Sequence, residues 1–132
     1  MPADPWAEKA MLDWCLGGAT PTQPASRFLG LAAGTPTSAS ASELVTGFAS
    51  TRLAIAFGAA VSPAGSATNT GAVTFSATTR ITAAASKPNA WNLWNASSGG
   101  TRLAYGQLSA SSTFSSGDTI SFASGALTIT LA

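Results

Sequence analysis

Few side chains in this 132-residue sequence could carry acid–base, nucleophilic or metal chemistry. It has six basic and five acidic residues, one cysteine and no histidine. Without histidine, a Ser–His–Asp triad cannot form and zinc loses a principal ligand. After Glu43 the only acid is Asp118, so the carboxylates are too dispersed for a calcium site or a glycosidase pair. Neither glycine-rich phosphate-loop motif occurs. We therefore expect no enzymatic activity, no metal and no cofactor.

Two remaining candidates for reactivity have structural interpretations. Cys15 lies in a predicted helix among apolar neighbours. We expect a buried structural thiol there and, because it is the only cysteine, no disulfide within the chain. Asp118 follows a glycine in a predicted turn. We expect its carboxylate to cap the backbone of that turn.

The basic residues of the second half are spread along the chain. They are Arg52, Arg80, Lys87 and Arg102. Their separation predicts solvated strand positions, with pairing to an acidic partner protein as the alternative. These four residues do not form the continuous basic stripe that nucleic-acid binding requires, so no nucleic-acid partner is expected.

The elements that must position these groups are mainly β-strands. Short segments with apolar residues recur between turn signals, at 27–34, 51–62, 68–77, 80–87, 90–97, 101–109, 118–124 and 126–132. Strands of this length and spacing indicate an antiparallel sandwich or barrel. We predict a mainly β fold, with an N-terminal helix and linker arm over residues 1–26 and a β domain over residues 27–132.

The N-terminal segment predicts a helix over residues 4–16. Asp4 suits the N-cap and Pro5 the first helical position, and two glycines follow as a stop signal. One broad face contains Trp6, Ala7, Ala10, Met11, Trp14 and Cys15. Leu12 and Leu16 interrupt the polar side. They predict either simple exposure, burial under the next loop, or contact with another subunit.

Three aromatic residues add to the candidates for an interface. Trp91 and Trp94 are three apart, so in a strand they face opposite sides. One would then be buried and the other available to a partner, since tryptophan is enriched at interfaces. Together with Trp6, Leu12 and Leu16, they form the set of candidate interface residues.

The composition itself favours an assembled protein. Charged residues make up 8% of the chain, against about 25% in typical soluble domains. Solubility usually comes from surface charge. The pattern therefore favours a subunit covered by its neighbours over a neutral secreted or engineered domain. The sequence contains no apolar run of about 20 residues, and its N-terminus lacks the basic region of a signal peptide, so we expect no membrane partner.

An ordered series of motifs resembles a family of small bacteriophage virion proteins described as tail-fibre-like. The series consists of RLAIAFGAA, TNTGAVTFSA, LAYG at 103–106, GDT at 117–119, and FASG followed by LTITL at 127–131. It covers most of residues 48–132 and, more loosely, the N-terminal helix, while the segment AASKPNAWNLW at 84–94 departs from the family pattern. The resemblance implies a non-enzymatic virion component with a jelly-roll-like β-sandwich.

Within that resemblance, the compact neutral domain and the helical arm favour a head decoration, or cement, protein on the capsid surface. Such a protein would bridge subunits of the major capsid protein, with further copies of itself, as a trimer, among its partners. The alternative is a tail or fibre component that binds a host-surface glycan through Trp91, Trp94 or Tyr105. A hydrolase of the cell envelope is disfavoured by the few acidic residues.

Overall fold

The computed structural model describes residues 5–20, 23–34, 36–37, 40–60, 66–82, 87–108 and 113–130. Within them the chain forms one helix and eight short strands: α1 (Pro5–Leu16), β1 (Phe28–Ala32), β2 (Arg52–Ala54), β3 (Ser66–Thr68), β4 (Val73–Ser76), β5 (Ala90–Trp94), β6 (Arg102–Gln107), β7 (Thr119–Phe122) and β8 (Thr128–Thr130). Every pairing between these strands is antiparallel. The predicted mainly β fold with one N-terminal helix is therefore confirmed.

The main sheet has four strands in the order β2-β1-β5-β6. The central strands β1 and β5 are buried along most of their length. Their sequences, FLGLA and AWNLW, are accordingly apolar except at Asn92, as expected for strands covered on both faces. A register shift between Leu93 and Trp94 places an extra residue in β6 opposite β5. Such a bulge increases the local twist at the edge of the sheet.

Two further strand pairs, β3–β8 and β4–β7, complete the β structure. β4 and β7 show the predicted alternation: Val73, Phe75 and Phe122 are buried, and the residues between them face solvent. Phe75 contacts Phe48 and Phe122 edge-on, at ring-centroid distances of 6.4 Å in each case. Side chains of these pairs and of the main sheet meet in one core: Leu29, Leu31, Ile55, Val73, Phe75, Trp91, Leu93, Leu103, Ala104, Phe122 and Leu127. The core thus joins two β layers, while the jelly-roll-like connectivity remains an expectation.

The helix ends as the sequence predicts. Gly17 adopts a φ of 77°, and the Gly18 amide donates to the Asp13 carbonyl at 3.0 Å, which closes the last turn. The predicted N-cap, Asp4, lies outside the described residues. α1 contacts β6, and Trp6 packs against the core. The division into an arm of residues 1–26 and a β domain of residues 27–132 stays a prediction.

One predicted strand is shorter than expected, and another lies partly outside the described residues. In the segment 51–62, β2 ends at Ala54, and Phe57 forms a separate bridge to Asn69. In the segment 80–87, Ile81 bridges to Phe114, and residues 83–86 lie outside the described residues, as does Leu131 at the C-terminus. The alternation nevertheless holds beyond β2, because Ile55 is buried and Phe57 packs against the core.

Candidate interaction surfaces

The last six residues of α1, which we call the α1 tip (residues 11–16), form an apolar surface. Met11, Leu12, Trp14 and Leu16 are 44%, 59%, 69% and 79% exposed. Among the described residues, Val45 is the only other large apolar side chain with comparable exposure. Single exposed apolar residues are ordinary, but four large ones within six residues of one helix favour an interaction site.

The structure corrects the predicted environment of the helix. Cys15 is exposed, whereas the sequence predicts a buried thiol. The physical reason is that the β core reaches one narrow side of α1, where Trp6, Ala7 and Ala10 are half-buried. The remainder of the predicted apolar face points away from that core. Leu12 and Leu16 are also exposed, rather than covered by the next loop.

The two tryptophans of β5 lie on opposite faces of the sheet, as predicted. Trp91 is 4% exposed and belongs to the core. Trp94 is half-buried on the other face, where the Arg52 guanidinium carbon lies 3.8 Å from the centroid of its indole ring. Of the candidate interface residues, Leu12 and Leu16 therefore present the most surface, and Trp6 and Trp91 present little.

Arg52 is held by a dense set of contacts on the outer face of the main sheet. Its Nε lies 2.7 Å from Oε2 of Glu43, and its Nη2 donates to Oε1 at 3.2 Å. Nη1 donates to the carbonyls of Ala96 and Gly99 at 2.7 and 2.9 Å. Only 4% of the Arg52 side chain is exposed. The residue opposite in β1 is Gly30, which leaves room for this ion pair to lie across the strand.

A second arginine binds a neighbouring part of the same face. Arg102 of β6 is buried and donates to the carbonyls of Thr37 and Ser40 and to Oδ1 of Asn92. Its guanidinium carbon lies 4.3 Å from the Tyr105 ring centroid. Asn92, which is fully buried, donates to the Ala41 carbonyl at 2.8 Å.

These contacts fasten a strap, defined here as residues 36–37 and 40–43, over the outer face of the sheet. The Ala33 amide donates to the Ser42 carbonyl, and the Leu44 amide donates to the Leu31 carbonyl, so the strap also pairs with the end of β1. The expectation that Arg52 and Arg102 are solvated is therefore wrong. Both guanidinium groups bind strap or loop carbonyls that would otherwise lose their hydrogen bonds on burial.

The same contacts limit how Trp91, Trp94 and Tyr105 could bind a host-surface glycan. Saccharide binding by stacking needs an accessible ring face. Arg52 covers one face of Trp94, Arg102 covers one face of Tyr105, and Trp91 is buried. Trp91 is therefore closed to stacking, and Trp94 and Tyr105 each have at most one ring face left for it.

Two polar residues fix turns beside the β4–β7 pair, Asn69 at one end of the pair and Asp118 at the other. Asn69 is 1% exposed, donates to the carbonyls of Gly71 and Ala123, and accepts from the Leu127 amide at 2.9 Å. Nothing in the sequence distinguished it from other asparagines of turns. Asp118 accepts from the Ser115 amide at 2.8 Å, which confirms its predicted role in the turn.

The described part of the chain shows no group of three or more acidic, cysteine or histidine side chains that could hold a metal ion. Three of the described acids have structural partners: Asp13 pairs with Lys9, Glu43 pairs with Arg52, and Asp118 accepts from the Ser115 amide. Its one helix, with 12 residues, is too short to cross a bilayer.

Comparison with known proteins identifies the family of the chain. Residues 3–130 match the family described as podophage GP4 fiber I protein gp80. No curated protein matches the chain. Since the match spans nearly the whole sequence, the chain belongs to the podophage GP4 fiber I protein gp80 family and is a structural protein of the phage virion.

Proposed function

We propose that this chain is a structural subunit of a podophage fibre, held in the virion by docking of the α1 tip on a neighbouring subunit. The observation that carries the proposal is the exposed apolar group formed by Met11, Leu12, Trp14 and Leu16. The fibre assignment is supported by the description of the matching family. It departs from the head decoration that the sequence favoured, because the family description names a fibre protein.

The size of the tip indicates what kind of contact it makes. Six helical residues span about 9 Å. Burying four partly exposed large side chains contributes roughly 4–7 kcal/mol of gross transfer free energy. Association costs about as much in lost translational and rotational freedom. One tip is therefore too weak to hold a subunit alone, and the contact becomes strong when several copies are joined in one assembly.

The proposed role is non-enzymatic. The sequence has no histidine, and Glu43 and Asp118, its only acids after residue 13, each lie in a structural contact. Glu43 is bound by Arg52, and Asp118 accepts from the backbone of its own turn. A general base or nucleophile would need a positioned partner beside the substrate.

Capsid decoration is the second candidate. It is favoured by the low charge of the chain, 8%, which suits a surface covered by neighbours, and by a compact β core with one protruding apolar helix end. The same α1 tip would then dock on the major capsid protein. Copy number separates the two candidates, because decoration requires a copy for each group of capsid subunits and a fibre requires far fewer.

The test uses phage that carry Leu12→Ser and Leu16→Ser together. Both side chains are exposed, so we expect the free energy of unfolding to change by less than about 0.5 kcal/mol for each. Quantitative mass spectrometry of purified virions should show at least about a tenfold loss of the chain, equivalent to 1.4 kcal/mol of binding. Val45→Ser is the matched control, since Val45 is 66% exposed and lies outside α1. Incorporation of the double variant at the wild-type level would show that α1 is not the docking element.

A further inference from the structure

A small cleft opens beside the ion pair of Arg52 and Glu43. Its volume is about 300 Å³, and it lies between the end of the strap, the start of β2 and the loop that joins β5 to β6. The lining residues are Glu43, Val45, Thr51, Arg52, Ser97, Ser98 and Gly99. Small-molecule sites range from about 300 to 1,000 Å³, so this cleft has room for one small ring rather than for an extended chain.

Arg52 holds two walls of the cleft in place. Its guanidinium donates to both carboxylate oxygens of Glu43, which fixes the strap side. The same guanidinium donates to the carbonyls of Ala96 and Gly99, which flank the two serines of the loop. Both walls are therefore positioned by one buried side chain before any ligand is bound.

The loop between β5 and β6 is also closed at its ends. The Asn95 amide donates to the Thr101 carbonyl at 3.1 Å, and the Thr101 amide donates to Oδ1 of Asn95 at 2.7 Å. Gly99 and Gly100 adopt φ values of 60° and 74°, which turn the chain back toward β6. A ligand in the cleft would meet groups that are already ordered, and this lowers the entropic cost of binding.

The cleft offers hydrogen-bonding groups that the fold does not use. A carboxylate has about four lone-pair sites, and from the described residues Glu43 accepts two hydrogen bonds, both from Arg52. The hydroxyls of Thr51, Ser97 and Ser98 belong to exposed residues and form no hydrogen bond with another described residue. The unused groups are therefore carboxylate lone pairs and three hydroxyls, each of which can both donate and accept.

The remaining lining is apolar and uncharged overall. Val45 is 66% exposed and, apart from the α1 tip, is the only large apolar side chain of the described residues with comparable exposure. Glu43 and Arg52 are the only charged residues of the lining, and they neutralise each other. A charged ligand would find no unpaired counter-charge there. The lining therefore suits an uncharged molecule that carries several hydroxyls beside a face of C–H groups.

We propose that this cleft binds one neutral pyranose unit of a saccharide. Hydroxyls on neighbouring ring carbons donate to the Glu43 carboxylate and exchange hydrogen bonds with Thr51 and the two serines, while the C–H face of the ring packs on Val45. This site differs from stacking on tryptophan or tyrosine, because no aromatic ring lines the cleft. No residue of α1 lines it either, so the inference goes beyond the proposed function and does not rest on docking of the α1 tip.

The test is a titration of the isotope-labelled chain, followed by amide chemical shifts, with the methyl α-pyranosides of glucose, galactose, mannose and rhamnose. We expect at least one glycoside to shift the amides of Glu43 and of residues 97–99 saturably. The dissociation constant should be about 1–10 mM, the affinity that roughly a dozen non-hydrogen atoms provide. The amides of the exposed turn at 115–117 should not shift.

The free sugars form the second arm of the titration and identify the source of the ring. A unit within a glycan carries a substituent at its anomeric carbon. A methyl glycoside that binds as tightly as its free sugar therefore indicates a unit of a glycan chain. A free sugar that binds at least tenfold more tightly than its methyl glycoside indicates a free monosaccharide as the ligand.

Variants of the cleft test which groups bind the ring. Ser97→Ala with Ser98→Ala removes two hydroxyls and should raise the dissociation constant at least tenfold. Ser115→Ala with Ser116→Ala removes two hydroxyls from another exposed turn and should bind like the wild type, which makes it the matched control. If circular dichroism shows that the first pair alters the fold, Thr51→Val takes its place, because it removes a hydroxyl and keeps the shape of the side chain.

Val45→Ser separates this inference from the proposed function, since it should enter the virion at the wild-type level and bind the glycoside more weakly. The absence of a saturable shift with all four glycosides overturns the inference. So does methyl α-glucuronide, which carries a carboxylate, if it binds more tightly than the neutral glycosides. A correctly folded cleft variant that binds as tightly as the control pair has the same consequence.

Discussion

We expect the ion pair between Arg52 and Glu43 to contribute strongly to the free energy of unfolding. We consider Arg52→Met, which preserves much of the apolar stem and removes the guanidinium. Exposed ion pairs contribute about 0–1 kcal/mol, and buried pairs cost about 3–5 kcal/mol when one partner is removed. The side chains of Arg52 and Glu43 are 4% and 18% exposed, so the buried case applies.

The magnitude follows from the groups that the substitution leaves behind. The Glu43 carboxylate loses two hydrogen bonds, the carbonyls of Ala96 and Gly99 lose one each, and Trp94 loses its cation. We expect Arg52→Met to lower the free energy of unfolding by about 3–5 kcal/mol. Glu43→Gln retains an acceptor and should cost less, about 1–2 kcal/mol.

The assay is urea unfolding of the two single variants and the double variant. Because Arg52→Met leaves a buried carboxylate that Glu43→Gln neutralises, the double variant should be more stable than the sum of the single effects predicts, by at least 1 kcal/mol on the scale of coupled contacts. Additive effects, or a loss below about 1 kcal/mol for Arg52→Met, would refute the buried pair. Arg52→Lys is the conservative control and should recover part of the loss, since lysine keeps the charge but not the bidentate geometry.

Three further substitutions test other parts of the fold by the same unfolding measurement. Gly106→Ala places a Cβ against the rigid ring of Trp91 and should cost about 1–3 kcal/mol; an unchanged midpoint would show that the ring is not packed there. Asn69→Ala strands the Leu127 amide and two carbonyls and should cost about 2–4 kcal/mol, whereas a neutral effect would mean that water replaces the amide. Asp118→Ala should cost about 0.5–2 kcal/mol, the scale of a lost cap, with no loss of virion assembly; a larger effect on assembly than on stability would give Asp118 a role beyond the turn.

Local pattern was sufficient to predict most of the secondary structure. Alternation in 73–76 and 119–122 identified β4 and β7 and their buried residues, and the glycines at 17–18 identified the end of α1. The central strands β1 and β5 could be predicted equally well, because FLGLA and AWNLW are short, largely apolar runs between turn signals. These features depend on neighbouring residues only.

The strap and its arginines could not be predicted in the same way. Arg52 and Arg102 occupy strand positions opposite the core, where a polar residue ordinarily faces solvent. Their burial depends on strap residues up to 65 positions away in sequence, which no periodicity reveals. Arg52, Gly30 and Asn92 form a row across three strands, but that register is known only from the structure.

For the helix, the sequence predicts which residues share a face but not what covers that face. A helical wheel correctly places Trp6 on the apolar face of α1, but an apolar face does not specify its partner. In the structure, the β core covers the side with Trp6, and the residues of the α1 tip remain exposed. The erroneous burial of Cys15 follows from assuming that one chain covers the whole face.

Density for the intact virion from electron cryomicroscopy tests the proposed function most directly. We expect the β fold to be located in a fibre, with Leu12 and Leu16 of the α1 tip buried against a neighbouring subunit. A fibre position with both leucines exposed to solvent would contradict the docking role of α1. Density for the chain at the boundaries between capsid subunits, and none in the fibre, would contradict the fibre assignment and support capsid decoration instead.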